Sequence, residues 1–319
     1  MLADTNVILF GAKYKIGPRR GCENRGNEYL CIIQRRFGMK RTLLVLATLL
    51  LTLIAWAGPA RRDTLRILAI GNSFSQDAIE QNLWELFNQE GTVAVIGNLY
   101  IGGCTLQRHF FNSRNDTPDY MYRKVVDGVR TEHPHYTLEM GLADESWDVV
   151  SFQQASGVSG MFETFQPYLL ELVRFVKART RDDVRLVWHQ TWAYSADAPH
   201  PEFPNYGRDQ QRMYKAILAA GKRAMRESGI RTVIPSGTAI QNARGTFLGD
   251  TMNRDGYHLE LTYGRYTAAC AWYEALTGRD VRRNAWHPAS VTAETADACR
   301  AAAHAACKKP YGVTPFKLK

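Results

Sequence analysis

Ser73 ends the run Ile67-Leu68-Ala69-Ile70 in a turn, Gly71-Asn72-Ser73-Phe74-Ser75, and Asp255-Gly256-Tyr257-His258 lies far downstream. A serine hydroxyl is a poor nucleophile near neutral pH. It becomes a useful one when a base takes its proton and a third group holds that base in place. Asp255 and His258, three residues apart on one loop, can fill both posts: the imidazole faces the serine, and the carboxylate accepts from the other ring nitrogen and sets the tautomer. Taken singly these residues say little. Ser73 alone reads as a helix cap, and Asp-x-x-His alone as the first turn of a helix.

Their weight comes from the elements that must position them. Apolar, β-rich runs at 65–70, 93–99, 147–152, 184–190 and 231–235 alternate with amphipathic stretches at 77–90, 165–178 and 208–228, and a last one at 262–276. Continuously apolar strands that alternate with helices predict a parallel sheet covered on both faces. The expected fold is therefore α/β: a three-layer α/β/α sandwich with a five-stranded parallel sheet, in flavodoxin-like order. In such sheets ligands sit beyond the carboxyl ends of the strands. Ser73 follows the first strand, Gly102-Gly103 the second and Gln153-Gln154 the third. Trp192 and Tyr194 follow the fourth, and Asp255 and His258 lie after the fifth. All five groups converge on one edge. The long insert 104–146 contains alternating residues around Asp127-Gly128, which predict a hairpin lying outside the main sheet.

Residues 1–57 concern addressing more than folding. Met39-Lys40-Arg41 is a short basic region, 42–56 is uncharged and leucine-rich, and Ala55-Trp56-Ala57 fits a small-x-small cleavage rule. The expectation is a signal peptide at 39–57, translation starting at Met39, residues 1–38 as a mis-assigned extension, and a single domain over 62–310. The product would be periplasmic or secreted, with no stable membrane anchor after cleavage. Of the 40 Lys and Arg and 31 Asp and Glu, nine and three fall within 1–57, so the formal charge of +9 drops to +3 without them. No long basic stripe remains, and nucleic-acid binding has no support. Cys104, Cys270, Cys299 and Cys307 are too few for a disulfide scaffold in a chain this long. On a straight helix Cys299 and Cys307 would stand about 12 Å apart, beyond disulfide reach.

The order of these blocks resembles the SGNH/GDSL hydrolase superfamily: a Ser after the first strand, a Gly after the second, an Asn after the third and an Asp-x-x-His near the C-terminus. The pattern is similar to a secreted bacterial branch of it catalogued as a domain of unknown function. The resemblance implies Ser73 as nucleophile, His258 as general base and Asp255 as its orienting carboxylate. It also implies oxyanion donors at the Ser73 and Gly103 N–H groups. Two blocks depart from the pattern. Asn72 stands where the superfamily has Asp, and Phe152-Gln153-Gln154-Ala155-Ser156 replaces Gly-x-Asn-Asp. Gln carries the Asn amide on a longer arm, so either glutamine can donate to an oxyanion. Similarity to the Gln-Gly-Glu-Ser stretch of carbohydrate acetylesterases favours Gln153.

Other candidates carry less. His133-Pro134-His135 has no further ligand at a zinc spacing, His189 reads equally as a cleft or a core residue, and Gly157-Val158-Ser159-Gly160 is half of a Gly-x-Ser-x-Gly elbow. Aromatic residues at the active edge, Trp192 and Tyr194 foremost, have faces suited to sugar rings as the substrate-binding surface. The sequence thus predicts a metal-free, cofactor-free serine esterase acting on O-acyl, foremost O-acetyl, esters of a glycan or another small molecule. The alternative is a non-catalytic glycan-binding relative that kept the fold.

Overall fold

The run Thr64–Gly71 forms a strand, β1, because its residues from Ile67 onward are buried on both faces. Alternate side chains enter separate cores: Ile67 and Ala69 one, Leu68 and Ile70 the other. Val149 and Val187 repeat the split against Val150 and Trp188 on neighbouring strands. A strand whose successive side chains are both buried needs helices on each side, and that requirement produces three layers.

In this computed structural model the described residues are Val7–Leu9, Ala12–Tyr14 and 64–315. The chain divides into two units, Met1–Arg61 and Arg62–Lys319. In the first, Val7–Leu9 pairs antiparallel with Ala12–Tyr14. The expected signal peptide at 39–57 lies outside the described residues, as does the rest of 1–38. Among the described residues no helix is long and apolar enough to cross a membrane.

The second unit holds a seven-stranded sheet. After β1 come β2 (Val93–Tyr100), β3 (Tyr120–Val126), β4 (Val129–Tyr136), β5 (Val149–Phe152), β6 (Arg185–His189) and β7 (Thr232–Ile234). The spatial order is β4-β3-β2-β1-β5-β6-β7. Five strands, β2-β1-β5-β6-β7, are parallel as expected. Their order reverses between β1 and β5, which opens a crevice at the carboxyl ends of those two strands.

The hairpin corrects the sequence expectation. It lies in the main sheet, not outside it, because β3 pairs antiparallel with β2 from Val95↔Val126 to Tyr100↔Met121. The edge of β2 would otherwise expose unpaired backbone groups. Asp127 and Gly128, at φ 51° and 76°, make the tight turn.

Helices α1 (Ser73–Ile79), α2 (Leu83–Gln89), α3 (Leu106–Asn115), α4 (Leu138–Ala143), α5 (Tyr168–Lys177), α6 (Gln210–Ser228), α7 (Ser236–Arg244), α8 (Tyr263–Thr277) and α9 (Ala293–Lys308) complete the layers. The single helix expected over 77–90 is two, since Asn82 takes a left-handed φ of 67° between them. The first begins four residues early because Asn72 caps it. Helices α3, α4 and α7 lie outside the stretches that the sequence pattern predicts as helical. Cys299 and Cys307 ride an unbroken α9, and all four cysteines of this unit are free.

Candidate active site

Ser73 is the first residue of α1, directly beyond β1. The cap is Asn72, whose Oδ1 accepts the Phe74 N–H at 3.0 Å. That leaves the Ser73 N–H among the donors that a helix start leaves without an intrahelical partner. Ser73 is partly exposed and Asn72 is buried. The same Asn72 side chain reaches two other blocks. Its Nδ2 donates to the Cys104 carbonyl at 3.0 Å, beside Gly103, and its Oδ1 accepts from Gln153 Nε2 at 2.7 Å. An aspartate in this rotamer would turn a carboxylate oxygen toward the Cys104 carbonyl, where the Asn72 amide donates a hydrogen bond instead. Gly103 is exposed at φ +62°, a conformation that glycine adopts without strain, and its N–H makes no hydrogen bond among the described residues.

Gln153 and Gln154 follow β5, and their roles separate. Gln154 Nε2 spends its hydrogens on the Thr164 carbonyl and hydroxyl, both at 3.1 Å, while its Oε1 accepts from Leu106 N and Ala155 N at 2.9 Å. It is a strut that ties the start of α3 to the loop after β5, with no donor left for a ligand. Gln153 Nε2 gives one hydrogen to Asn72 and keeps one without a partner among the described residues; its Oε1 meets His189 Nδ1 at 2.7 Å. His189 Nε2 in turn meets Ser236 Oγ at 3.0 Å. His189, at the end of β6, is fully buried, and burial pushes its pKa down to about 3, so it is neutral at physiological pH.

Asp255 and His258 lie on the loop between α7 and α8. His258 Nδ1 stands 2.6 Å from Asp255 Oδ2, and Asp255 Oδ1 accepts the backbone N–H groups of Tyr257 (3.1 Å) and His258 (2.7 Å). Burial pushes the Asp255 carboxyl upward, but the hydrogen bonds from His258 and the two N–H groups outweigh it and hold the group below the usual carboxylate range. Gly256, at φ +91°, lets the loop press on the chain before it: a Cβ would lie 2.8 Å from Ala198 Cα. The Gly256 carbonyl accepts from Ser195 N at 2.8 Å. Neither Ser73 Oγ nor His258 Nε2 is engaged with another side chain among the described residues, which leaves both open to substrate.

Two connections bring this loop to Ser73. The Phe74 ring stacks on Trp192 with centroids 4.2 Å apart, lies 6.1 Å from the His258 ring, and Trp192 Nε1 donates to the Tyr257 carbonyl at 2.7 Å. One helical turn beyond Ser73, the buried Asp77 accepts from Leu259 N (2.8 Å), Arg254 Nη1 (3.0 Å) and Arg265 Nε (2.9 Å). Arg254 also donates to the Leu259 carbonyl. Asp77 therefore clamps the helix of the serine to the loop of the histidine. Nothing local in the sequence marks Arg254 and Arg265 as partners of Asp77, which lies 177 and 188 residues before them.

Trp192 and Tyr194 need correcting as substrate-binding residues. Both are 0% exposed and offer no ring face to a sugar. Trp192 supports Phe74 and Tyr257; the Tyr194 hydroxyl is shared between Ser156 Oγ (2.9 Å) and His200 Nδ1 (3.2 Å).

Fold and site together define a three-layer α/β/α protein with a Ser, a His-Asp pair and free backbone donors at the carboxyl edge of its sheet. The chain belongs to the family described as Domain of unknown function (DUF4886), which it matches over residues 66–306. It is similar to the crystal structure of a DUF4886 family protein from Bacteroides uniformis ATCC 8492, at 52% identity and a TM-score of 0.78, over 79% of this chain and 98% of that one. A fainter likeness is to the psychrotrophic esterase EstA from Pseudoalteromonas sp., at 16% identity and a TM-score of 0.44, over 67% of this chain and 97% of that one. Axe2, an acetylxylan esterase from Geobacillus stearothermophilus, gives 12% identity and a TM-score of 0.41, over 68% and 94%. A comparison with curated proteins gives no match.

Proposed function

We propose that this protein is a serine ester hydrolase that removes short acyl groups, acetyl foremost, from sugar hydroxyls. The observation that carries the reading is the His258–Asp255 pair at 2.6 Å, with the His258 ring 6.1 Å from that of Phe74, the residue after a serine at a helix start whose own N–H has no intrahelical partner. Ser73 Oγ attacks the acyl carbon while His258 Nε2 takes its proton, and Asp255 stabilises the imidazolium that forms. The oxyanion is met by the Ser73 N–H, the Gly103 N–H and the remaining Gln153 Nε2 hydrogen. His258 then hands its proton to the departing sugar oxygen, and water repeats the sequence on the acyl-enzyme. No step calls for a metal or a cofactor.

The sugar part of the reading is supported by α3, which starts three residues past Gly103. Phe111 there is 49% exposed and clusters with Phe110 and Tyr168, at centroid distances of 5.4 and 6.3 Å. Export is proposed from the Met39–Ala57 pattern, and N-terminal sequencing of the exported protein should read from about Gly58. A start upstream of Met39 would contradict it. Fluorophosphonate labelling tests the chemistry: an adduct on Ser73 is expected, and glycan binding without an adduct would favour the non-catalytic alternative.

A further inference from the structure

Four buried side chains from four separate segments form one hydrogen-bonded chain: Asn72 after β1, Gln153 after β5, His189 at the end of β6 and Ser236 at the start of α7. Its polarity follows link by link. Asn72 Oδ1 accepts the Phe74 N–H, so the Asn72 atom facing Gln153 is an oxygen. The Gln153 atom that meets it must then be the NH2 group, which turns Oε1 toward His189. His189 Nδ1 therefore carries a hydrogen. Burial keeps the ring neutral, so Nε2 is bare and accepts from the Ser236 hydroxyl.

We infer that His189 is a positioning residue for the reaction: in its Nδ1–H tautomer, required by Gln153 Oε1 and matched by the Ser236 hydroxyl, it holds the Gln153 amide so that the second Nε2 hydrogen is presented at the oxyanion site. This rests on the esterase reading and deepens it. A glutamine side chain has three torsions, and freezing it in a transition state costs up to about 2 kcal/mol of rotamer entropy. Here the amide is pinned at both ends in the folded protein, at 2.7 Å on each side, before any substrate arrives. A hydrogen bond at each end of the amide restricts its rotation, and with it the direction of the free N–H. A site that is pre-set in this way loses no reorganisation energy when charge develops.

Two measurements on the full chain test this. Nitrogen NMR of the histidine-labelled protein near pH 7 should show a neutral His189 with the proton on Nδ1; the Nε2–H tautomer overturns the inference without any variant having to fold. In steady-state hydrolysis of a small acetyl ester, His189→Leu should lower kcat about ten- to a hundredfold with KM unchanged, a share of what one oxyanion donor supplies. His189→Asn, which can keep a donor near the Nδ1 position, should recover most of that loss. In a Gln153→Ala background His189→Leu should cost little more. An equal loss in both backgrounds, or no recovery with Asn, means that His189 only packs. Wild-type protein with neither turnover nor labelling at Ser73 would instead overturn the esterase reading itself.

Discussion

The two halves of the site are built to different standards. On the side of Ser73, the Asn72, Gln153 and His189 side chains are sealed within the carboxyl edge of the sheet, at 1%, 2% and 0% exposure, and each polar contact follows from the one before it. On the other side, Asp255 and His258 sit on a loop with side chains 38% and 19% exposed, held by backbone turns and by the reach of Asp77. The proposed oxyanion donor, Gln153, works best if it does not move as charge appears, so burial and a hydrogen bond at each end of its amide suit it. The proposed general base, His258, must exchange protons with substrate and water, and its partial exposure on a loop suits that task. In the proposed reaction, rigid scaffold and accessible loop divide the labour.

The sharpest way to break this comparison is to remove one member from each half. Ser73→Ala and His258→Ala should each abolish nearly all turnover of a small acetyl ester, and the double variant should lose little beyond either, because the pair acts as one unit. Losses that add up in the double variant would mean that the halves work independently.

The clamp between the halves comes next. Asp77→Asn leaves the buried guanidinium of Arg265 without its carboxylate and should cost about 3–5 kcal/mol in denaturant unfolding. A change under about 1 kcal/mol would show that the loop holds its own position. Within the buried half, Gln153→Ala should reduce kcat by about two orders of magnitude while leaving stability close to wild type. Gln154→Ala should do the reverse, lowering the unfolding midpoint by the loss of its four hydrogen bonds more than it lowers kcat. The opposite pattern would exchange the two roles.

A smaller effect is expected in pH dependence. His189 binds a proton in the unfolded chain below about 6.5 and in the folded one only near pH 3. Between those values the unfolded state holds more protons, so stability must fall as pH falls. His189→Asn should flatten that slope in unfolding measured from pH 7 to pH 4, and an unchanged slope would place the proton elsewhere. Asp255 acts in the same direction at lower pH, since a depressed carboxylate gives up its contribution as pH drops through its folded value. The smallest effect belongs to a chelator: EDTA should leave turnover unchanged, because every proposed step uses side chains and backbone N–H groups of this chain. Activity that disappears with EDTA would assign the chemistry to a metal.

The placement of Ser73, Gly103, Asp255 and His258 at the carboxyl edge was legible from strand-end position, since a parallel sheet sends every loop at its carboxyl edge to one side. The choice between Gln153 and Gln154 was not, because adjacent residues at a strand end point to opposite faces and the sequence does not say which face holds Thr164. The aromatic pair was misjudged for a related reason: Trp192 and Tyr194 follow a strand at the active edge, yet 0% exposure puts them beneath the site as support. The hairpin at Asp127-Gly128 was visible as a hairpin, but its edge partner was not, because pairing with β2 depends on the open side of the sheet.

Alternation of apolar runs, turn residues and an amide-bearing strand end are local properties, and they determine by themselves that this chain makes a layered α/β fold with a serine and a histidine at one edge. The Asp77 clamp and the Asn72–Gln153–His189–Ser236 chain join segments as much as 188 residues apart. No local pattern encodes such contacts. They exist only once burial has stripped water from these polar groups, so that each must find its partner in the protein or be left at a cost of about 1–3 kcal/mol.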